Sequence, residues 1–530
     1  MVITRRGIVA TAQPLASQAG AQILARGGSA VDAAIAANAV MSLVEPMMNG
    51  PGGDLFAIVW DAKTGKLTGI NASGWAPKGL SIDYLRKQGL STIPSNSIHS
   101  VTVPGCVDGW EKLHKRFGRL PWRDLFKPAI YYAQNGFPVT EIIQWDWENS
   151  SSKIEGYARK LYMPSGSAPK AGEVFRNPQL AHALQLIATL GAKAFYSGPV
   201  GEAILETSRK LGGTMTADDL REFQSEWVQP ISTEYHDWKV YEIPPNGQGI
   251  GALEMLNIME QFPLSKWDQN SADAFHVKIE AQKLATQDLK RYVGDPRMAP
   301  IPTLGLLSKD YARGRAALID PHKANCDVEP GRPEKFESNT TYLSVVDQDG
   351  NIVSFIQSIS DIFGSGIAVD GMGFLLQDRG DGFSLDPKHL NALAPRKRPF
   401  HTIIPGFMER GNLHIGFGIM RGMNQAQAHA QFVSNVVDHG MNIQAALEAP
   451  RFNKTVLGGC EVLIESRVSE SVRDELTRRG HQLNVKGEYS GFMGGGQVVM
   501  HDSAANVNYA ASSPRKDGCA IPEPDPYFKN

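Results

Sequence analysis

The amino-acid sequence predicts a mixed α/β fold, built either as one large layered core or as two intertwined lobes. The chain has 530 residues, more than an average single domain. Helical periodicity dominates from about residue 105 to 330, whereas strand-like runs dominate after 340. Between them lies the polar segment 327–339, whose two prolines are typical of an exposed loop.

The individual elements follow from local patterns. Residues 17–44 predict two Ala-rich helices separated by Gly27-Gly28. Two apolar runs around a Lys-Thr-Gly turn, within 55–72, predict a hairpin. Amphipathic segments such as 181–195 and 251–262 predict helices separated by Pro- and Gly-rich loops.

A second hairpin is predicted at 340–360, where two β-rich runs flank a short loop containing glycine. Pairing Asp347 with Asn351 fixes the register and places Thr340 opposite Ser358. A hydroxyl side chain would thus stand at the first position of a strand that follows a loop, with a second hydroxyl beside it. A polar sheet face without chemical function is the alternative interpretation of these two residues.

Charge and composition exclude several classes of protein. Fifty-three Lys and Arg balance 55 Asp and Glu, so no strong field favours nucleic acid or an anionic membrane. We expect a small neutral or weakly charged ligand. No apolar run has the length of a secretory or membrane-spanning segment, and we expect a soluble, cytoplasmic protein.

The cysteines and histidines indicate no metal site or cofactor. The four cysteines are far apart in sequence and without metal-binding spacing, and we expect reduced thiols, mostly buried: Cys106, Cys326, Cys460 and Cys519. The 13 histidines are scattered, and His401 is interpreted as a hydrogen-bonding residue of a pocket. The G-x-S-x-G, H-E-x-x-H and P-loop motifs are absent from the sequence.

Several short segments, in this order and spacing, carry a resemblance to a known family. They are ARGGSAVDAAIAA (25–37), NGPGGD (49–54), VPGCVDGW (103–110), PPNGQG (244–249), LNIME (256–260), TTYLSVVDQDGNIVS (340–354), FGSGI (363–367), RKRP (396–399) and APRF (449–452). Each is weak alone. Together, across nearly the whole chain, they resemble the γ-glutamyltranspeptidase family of N-terminal nucleophile hydrolases.

The resemblance implies an αββα sandwich formed by two fragments of one self-cleaved precursor. The fragments would be 1–339 and 340–530, which stay associated, and the cut would fall between Asn339 and Thr340. It implies that Thr340 is the nucleophile and that Ser358 orients it. The oxyanion of the tetrahedral intermediate would be held by backbone N–H groups of the turn at Met420, Arg421 and Gly422, where the family has Pro-Gly-Gly.

The cut has a chemical reason. A threonine hydroxyl is a poor nucleophile without a nearby base. Cleavage before Thr340 would give that residue a free α-amine with an ordinary pKa of about 7.7 to 8.0, so the residue could supply its own general base. By resemblance, the hydroxyl first attacks the Asn339 carbonyl, and later a substrate amide, to give an acyl-threonine.

The substrate pocket departs from the family pattern. The Arg-Glu pair that grips an α-carboxylate is Ser73-Gly74 here, and the aspartate that reads an α-amino group is Gly382. The remaining differences lie at Arg379, at Ser360, and at His401-Thr402. The pocket therefore lacks the family's zwitterion clamp and gains two cationic groups for a carboxylate, Arg379 and Arg421.

Three functional hypotheses remain open at this point. The first is hydrolysis or transfer of γ-glutamyl compounds such as glutathione. The second is an amidase or acylase for a carboxylate-bearing amide without an α-amino group, similar to the oxamate amidohydrolase and the glutaryl or cephalosporin acylase branches. The third is an unprocessed, non-catalytic binding protein. The sequence does not fix the oligomeric state, and a homo-oligomer is compatible with it.

Overall fold

The computed structural model describes residues 1–328, 339–454 and 458–527. Two seven-stranded sheets form the centre of this part of the chain. Their strand orders are β1-β18-β17-β13-β12-β9-β8, called the β13 sheet, and β19-β2-β10-β11-β3-β4-β7, called the β10 sheet. A three-stranded sheet, β14-β15-β16, and a two-stranded sheet, β5-β6, lie outside them.

The strands are β1 Val2–Thr4, β2 Ile8–Thr11, β3 Asp54–Asp61, β4 Lys66–Ala72, β5 Phe137–Pro138, β6 Val174–Phe175, β7 Glu226–Val228, β8 Ile231–Tyr235, β9 Trp238–Glu242, β10 Asn339–Val346, β11 Ile352–Ser360, β12 Gly406–Arg410, β13 Leu413–Ile419, β14 Phe452–Asn453, β15 Glu461–Glu465, β16 Gln482–Lys486, β17 Gly496–Asp502, β18 Val507–Ser512 and β19 Cys519–Pro522.

The α-helices are α1 Pro14–Ala25, α2 Ala30–Val44, α3 Ile82–Lys87, α4 Cys106–Phe117, α5 Lys127–Asn135, α6 Glu141–Asn149, α7 Gly156–Tyr162, α8 Pro178–Leu190, α9 Lys193–Tyr196, α10 Pro199–Lys210, α11 Ala217–Arg221, α12 Gly249–Met259, α13 Ala272–Tyr292, α14 Thr303–Leu306, α15 Lys309–Ala316, α16 Asn424–Val437, α17 Ile443–Glu448 and α18 Glu470–Arg478.

Three buried clusters define four layers. Side chains of both sheets, among them Phe56, Tyr342 and Phe407, pack against one another in the middle. Helices α1, α2, α4, α5 and α8 cover the outer face of the β10 sheet, and α12, α13 and α16 cover the β13 sheet. The expected αββα sandwich is confirmed.

The predicted helix pair and the first hairpin are confirmed as α1–α2 and β3–β4. Gly27 ends the α1 segment with a left-handed backbone, at φ 86°, a conformation glycine adopts without steric cost. Ser29 and Asp32 form a capping box at the start of α2. Every side chain of α2 is buried, because this helix lies between the β10 sheet and the helices outside it.

The second hairpin has the predicted register from Thr341 onward, where Thr341 pairs with Gln357. The ladder then shifts, and Asn339 pairs with Ser360. The prediction that Thr340 and Ser358 form a regular one-to-one pair is therefore wrong. A β-bulge places two residues of β11, Ser358 and Ile359, opposite the single residue Thr340.

The cysteine prediction is also wrong in part. Cys326 and Cys460 form a disulfide, with Cα atoms 4.9 Å apart. A separation of 134 residues hides this proximity in the sequence. Cys106, which is buried, and Cys519 are free thiols. In the described ranges, none of the helices combines the length and the apolar character needed to cross a bilayer.

Candidate active site

Thr340 lies at the start of β10, with its side chain in the space between the two sheets. On this strand Tyr342 and Val346 belong to the inter-sheet core, and Leu343 and Val345 pack towards the helices outside, so alternation sends the Thr340 side chain inward. Its hydroxyl oxygen accepts a hydrogen bond of 3.2 Å from the Gln425 Nε2. Thr340 is 1 % exposed.

Gln425 belongs to the first turn of α16 and thereby brings the N-terminus of this helix to Thr340. The Gln425 Oε1 accepts from the Ile404 N–H at 3.0 Å, which fixes the amide with its nitrogen towards the hydroxyl. The N-terminal end of a helix carries a partial positive charge and N–H groups without helical partners. An anionic oxygen formed near Thr340 would lie close to this end.

The turn expected to hold the oxyanion immediately precedes α16. Arg421 and Gly422 both have left-handed backbones, at φ 96° and 47°, so the arginine adopts a conformation that side chains usually disfavour. The Met420 N–H is bonded to the Gly495 carbonyl at 2.9 Å and does not serve as an oxyanion donor. The Arg421 guanidinium lies over the Phe492 ring, 4.5 Å from its centroid.

Ser358 and Arg379 are directly connected. The Ser358 hydroxyl oxygen accepts from the Arg379 Nη2 at 3.1 Å and from the Ser360 N–H at 2.8 Å. The Arg379 Nη1 donates to the Thr402 hydroxyl at 2.7 Å. Ser360 has a left-handed backbone, at φ 79°, which turns the chain at the end of β11. The structure thus brings together four of the predicted site residues.

The Arg379 guanidinium is buried among carboxyl groups. Burial lowers its pKa, while Asp54 and Asp378 act in the opposite direction. Lys153 bridges Asp361 and Asp378 at 3.2 Å each. Burial, followed by repulsion from Asp378, raises the pKa of the Asp381 carboxyl well above its ordinary value. Arg379 thus places a positively charged group 3.1 Å from the Ser358 hydroxyl oxygen.

His401 is a buried, neutral residue that is linked through Asp54 to the strand position of Ser358. Its Nδ1 accepts from the Ile403 N–H at 3.3 Å, so the proton is on Nε2, which donates to the Asp54 Oδ2 at 3.0 Å. Burial lowers the pKa of His401 to about 4. Asp54 starts β3 opposite Ser358 and also accepts from the Gln377 amide at 2.8 Å. The pair is a rigid support of the site.

Ser73 takes part in a buried amide network. Its hydroxyl donates to the Asn71 Oδ1 at 2.7 Å and accepts from the Asn246 Nδ2 at 3.2 Å. The Asn246 Nδ2 also donates to the Pro399 carbonyl at 2.7 Å. These bonds tie the end of β4 to the segment that carries His401. Ser73 belongs to the wall that supports the pocket, and its assignment as a substrate contact stays a prediction.

The residue after the candidate nucleophile is fixed from the other side of the strand. The Thr341 hydroxyl donates to the Glu45 carboxylate at the end of α2. Lys516 lies between Glu45, at 3.3 Å, and Asp146, at 2.5 Å. All four side chains are buried. This ion-paired group holds β10 against the helix layer and leaves Thr340 on the opposite face.

Two groups of side chains have the spacing of metal ligands, within the described ranges. They are Asp361, Asp378 and Asp381, and His276, Glu280 and His481. A lysine already neutralises a carboxylate in each group, Lys153 on Asp378 and Lys283 on Glu280. The absence of a metal requirement stays a prediction.

Sequence reasoning missed Gln425 and Asp54 as site residues. Asp54 ends the NGPGGD segment. Its position after a Gly-rich turn could have predicted it as a site residue, because binding and catalytic residues are frequent in loops held by a rigid scaffold. Gln425 follows the 420–422 turn at helical spacing, but nothing local shows that its side chain points to a residue 85 positions earlier. Only the packing of α16 against β10 reveals this.

Comparisons with known proteins show which family the chain belongs to. The gamma-glutamyltranspeptidase family model matches residues 16–523. The chain is 37% identical over 527 residues to the glutathione hydrolase-like YwrD proenzyme of Bacillus subtilis, covering 98% of this chain and 99% of that protein. It is 32% identical to the oxamate amidohydrolase proenzyme of Klebsiella pneumoniae, covering 98% of each. The crystal structure of cephalosporin acylase from Bacillus halodurans has a TM-score of 0.92 and 40% identity, covering 99% of this chain and 97% of that one.

Proposed function

Since this chain belongs to the γ-glutamyltranspeptidase family of N-terminal nucleophile hydrolases, we propose that it is a precursor that cuts its own backbone before Thr340. The processed form then hydrolyses small amides through an acyl-Thr340 intermediate. The observation that carries this proposal is the contact between the Thr340 hydroxyl and Gln425, in the first turn of α16. It places the candidate nucleophile beside a helix N-terminus suited to a developing negative charge.

The reaction begins with the Thr340 hydroxyl attacking the Asn339 carbonyl carbon. The Asn339–Thr340 C–N bond breaks, the threonine nitrogen takes a proton, and water hydrolyses the resulting ester. The new α-amine then accepts the hydroxyl proton of Thr340 during attack on a substrate amide. The protonated amine gives that proton to the leaving nitrogen, and water releases the acyl group.

The oxyanion is assigned to the backbone N–H groups of Arg421 and Gly422. The left-handed conformation of both residues turns this segment sharply at the N-terminal end of α16. A backbone donor is independent of its side chain, so arginine can occupy a position where the family has glycine, provided that its backbone adopts this conformation. Loss of a single oxyanion donor typically lowers kcat by about 10² to 10³-fold.

For the substrate, we propose an acyl group that carries a carboxylate and needs no α-amino group. Arg379 supports this, because its guanidinium donates to the hydroxyls of Ser358 and Thr402 and so lies within the proposed acyl pocket. Burial strengthens a charge-assisted bond between guanidinium and carboxylate. Gly382 provides no carboxylate for an α-ammonium group, and burial raises the pKa of neighbouring Asp381, which favours its neutral form.

A cavity next to this site leaves room for a sizeable leaving group. It has a volume of about 1150 Å³ and reaches Phe400 and Met423, the neighbours of His401 and Gly422. Lysine and arginine side chains outnumber carboxylates in its lining, which contains Arg86, Lys290, Arg291, Arg315 and Lys388 beside Asp288 and Asp386. An anionic group on the substrate would be attracted to this wall.

Hydrolysis of γ-glutamyl amides is the second candidate function. The first of the relatives described above is named glutathione hydrolase-like, and this favours it. Three p-nitroanilides separate the candidates, namely glutaryl, γ-glutamyl and butanoyl. Glutaryl differs from γ-glutamyl only by lacking the α-amino group, and butanoyl additionally lacks the carboxylate. We expect the highest kcat/KM for glutaryl. A γ-glutamyl value equal to or above it would exclude the first candidate.

The non-catalytic hypothesis is tested by a denaturing gel of purified protein under reducing conditions. Two fragments, 1–339 and 340–530, with threonine at the N-terminus of the smaller, are expected. A single chain that never converts would support a binding protein instead. The cytoplasmic location also stays a prediction, although a disulfide is more typical of oxidising compartments; cell fractionation tests it. A homo-oligomer is tested by light scattering of the purified protein.

A further inference from the structure

The disulfide between Cys326 and Cys460 joins the two sides of the proposed cut. Cys326 precedes Thr340 in the chain and Cys460 follows it. We propose that this bond links the two fragments covalently after processing and is a thiol–disulfide exchange site for small-molecule thiols. The link between fragments rests on the proposed function. The exchange chemistry does not, because it can also occur in an uncut chain.

The two sulfur atoms differ in access. Cys326 is half-buried, whereas Cys460 is 1 % exposed. An incoming thiolate from solvent therefore reaches the Cys326 Sγ first. This attack direction makes Cys460 the leaving group, and the adduct forms on Cys326.

A buried lysine stabilises the leaving sulfur. The Lys283 Nζ lies 3.6 Å from the Cys460 Sγ, and it donates to the Asn325 carbonyl at 2.9 Å and to the Glu280 Oε1 at 2.6 Å. Glu280 opposes a thiolate. The pKa of nearby His481 is lowered first by burial and then by the positive charges of Lys283, Lys454 and Arg479, among others. A positive environment of this kind favours the thiolate form of a cysteine.

The exchange proceeds in two balanced steps. A thiolate RS⁻ bonds to the Cys326 Sγ, the Sγ–Sγ bond breaks, and its electron pair leaves on Cys460 as a thiolate. A second RS⁻ attacks the sulfur of R in the mixed disulfide, giving RSSR and the Cys326 thiolate. Two thiols are oxidised to one disulfide, and the protein disulfide is reduced.

Both cysteine segments remain anchored when the bond is broken. The Asn325 N–H donates to the Glu280 Oε2 at 3.2 Å, which holds the segment before Cys326 on α13. The Cys460 carbonyl accepts from the Gln482 N–H at 2.8 Å. The thiols therefore stay near each other, and we expect the small-molecule disulfide RSSR to re-form the protein disulfide by the reverse exchange, which releases two RS⁻.

The first test uses denaturing gels of the processed protein, which contains both fragments. Without reductant, the two fragments should migrate as one linked species, and with dithiothreitol they should separate. Fragments that separate without reductant, with both cysteines open to alkylation, would overturn the proposal. Alkylation of the two cysteines is repeated on Thr340→Ala protein, which is expected to stay uncut. Cysteines protected from alkylation in this variant show that the disulfide forms whether or not the chain is processed.

The second test follows exchange with 2-mercaptoethanol, using alkylation by iodoacetamide and peptide mass spectrometry. The adduct is expected on Cys326 and the alkyl group on Cys460. Lys283→Gln should slow the release of Cys460 about three- to tenfold, since leaving thiols of higher pKa leave more slowly. Lys283→Arg, which keeps the charge, should stay close to the wild-type rate. Circular dichroism checks that both variants fold.

Lys278→Gln is the matched control, because Lys278 is a buried lysine on the same helix that lies near Asp438 and His439 instead. Its exchange rate should equal that of the wild type. An adduct on Cys460, or equal rates for Lys283→Gln and Lys278→Gln, would contradict the assigned roles.

Discussion

Replacing Arg379 by glutamine tests the assignment of the acyl pocket. In the structure the guanidinium donates to Thr402 at 2.7 Å and to Ser358 at 3.1 Å. Arg379→Gln removes the charge and leaves one short amide. The nearby Asp378 keeps Lys153 at 3.2 Å and the Asp361 N–H at 3.0 Å, so the carboxyl group is not left without a partner.

The expected magnitude follows from the bonds that are lost. Hydrogen bonds to charged groups contribute about 1.5–3 kcal/mol each, and a neutral one about 1 kcal/mol. A carboxylate held by two guanidinium N–H groups would lose both charged bonds and keep one neutral bond to the glutamine amide. The net loss is roughly 2–5 kcal/mol, a drop of about 30- to 5000-fold in kcat/KM for the glutaryl anilide. The butanoyl anilide, without a carboxylate, should lose only about tenfold, through the weakened support of Ser358.

The assay is therefore a ratio of kcat/KM values, glutaryl over butanoyl, for processed enzyme. We expect the ratio to fall in Arg379→Gln and to be partly restored in Arg379→Lys. Arg421→Gln is the matched control, because the Arg421 guanidinium lies over Phe492; its ratio should change less than about threefold. If Arg379→Gln lowers both substrates equally, Arg379 supports the nucleophile but does not read a carboxylate.

Three further predictions concern the nucleophile and its supports. Thr340→Ala should remain one uncut chain on a reducing gel, whereas Thr340→Ser should still be processed. Cleavage of Thr340→Ala at the same bond would show that the Thr340 hydroxyl does not perform the cut. Gln425→Leu should lower kcat about 5- to 100-fold, because it removes a buried hydrogen bond to the Thr340 hydroxyl. The control is Gln427→Leu, since Gln427 lies on the same helix but is bonded to Asn453, and its kcat should stay within about threefold of the wild-type value. Equal losses in the two variants would refute the role of Gln425. Burial lowers the pKa of His401 from 6.5 to about 4, so on acidification this residue takes up a proton in the unfolded chain before it does so in the folded one. The contribution of His401 to the free energy of unfolding is therefore complete above pH 6.5 and is lost as the pH falls towards 4. Urea unfolding should show that the free energy of unfolding falls by about 3 kcal/mol more in the wild type than in His401→Gln across this pH range. Parallel pH profiles of this free energy in the two proteins would contradict the prediction.

Local sequence patterns were sufficient to predict the strands around the candidate nucleophile. The turn glycine and the Asp347–Asn351 pairing set the register of β10 and β11, because a hairpin is defined by contacts between near neighbours. The same holds for α1 and α2, whose capping residues lie next to each helix. The αββα arrangement was inferred through resemblance, since the residues alone allowed one core or two lobes.

The remaining features depend on contacts between distant segments. The shift at Thr340 was missed because strict alternation gives no sign of a bulge at the end of a strand. The Cys326–Cys460 bond, the Gln425 contact and the Asp54–His401 pair join residues that the sequence keeps far apart. Such contacts follow from the packing of layers and have no short-range pattern.

The order of strands in both sheets determines how a chain cut before Thr340 would come apart. In the β10 sheet, β2 from before residue 340 lies between β19 and β10 from after it. In the β13 sheet, strands from before residue 340 occupy both edges. Separating the fragments would break ladders in both sheets, so dissociation and denaturation are a single event. With Cys326 and Cys460 joined, that event is unimolecular, and the melting temperature is independent of protein concentration; after reduction it becomes bimolecular, and dilution lowers the melting temperature.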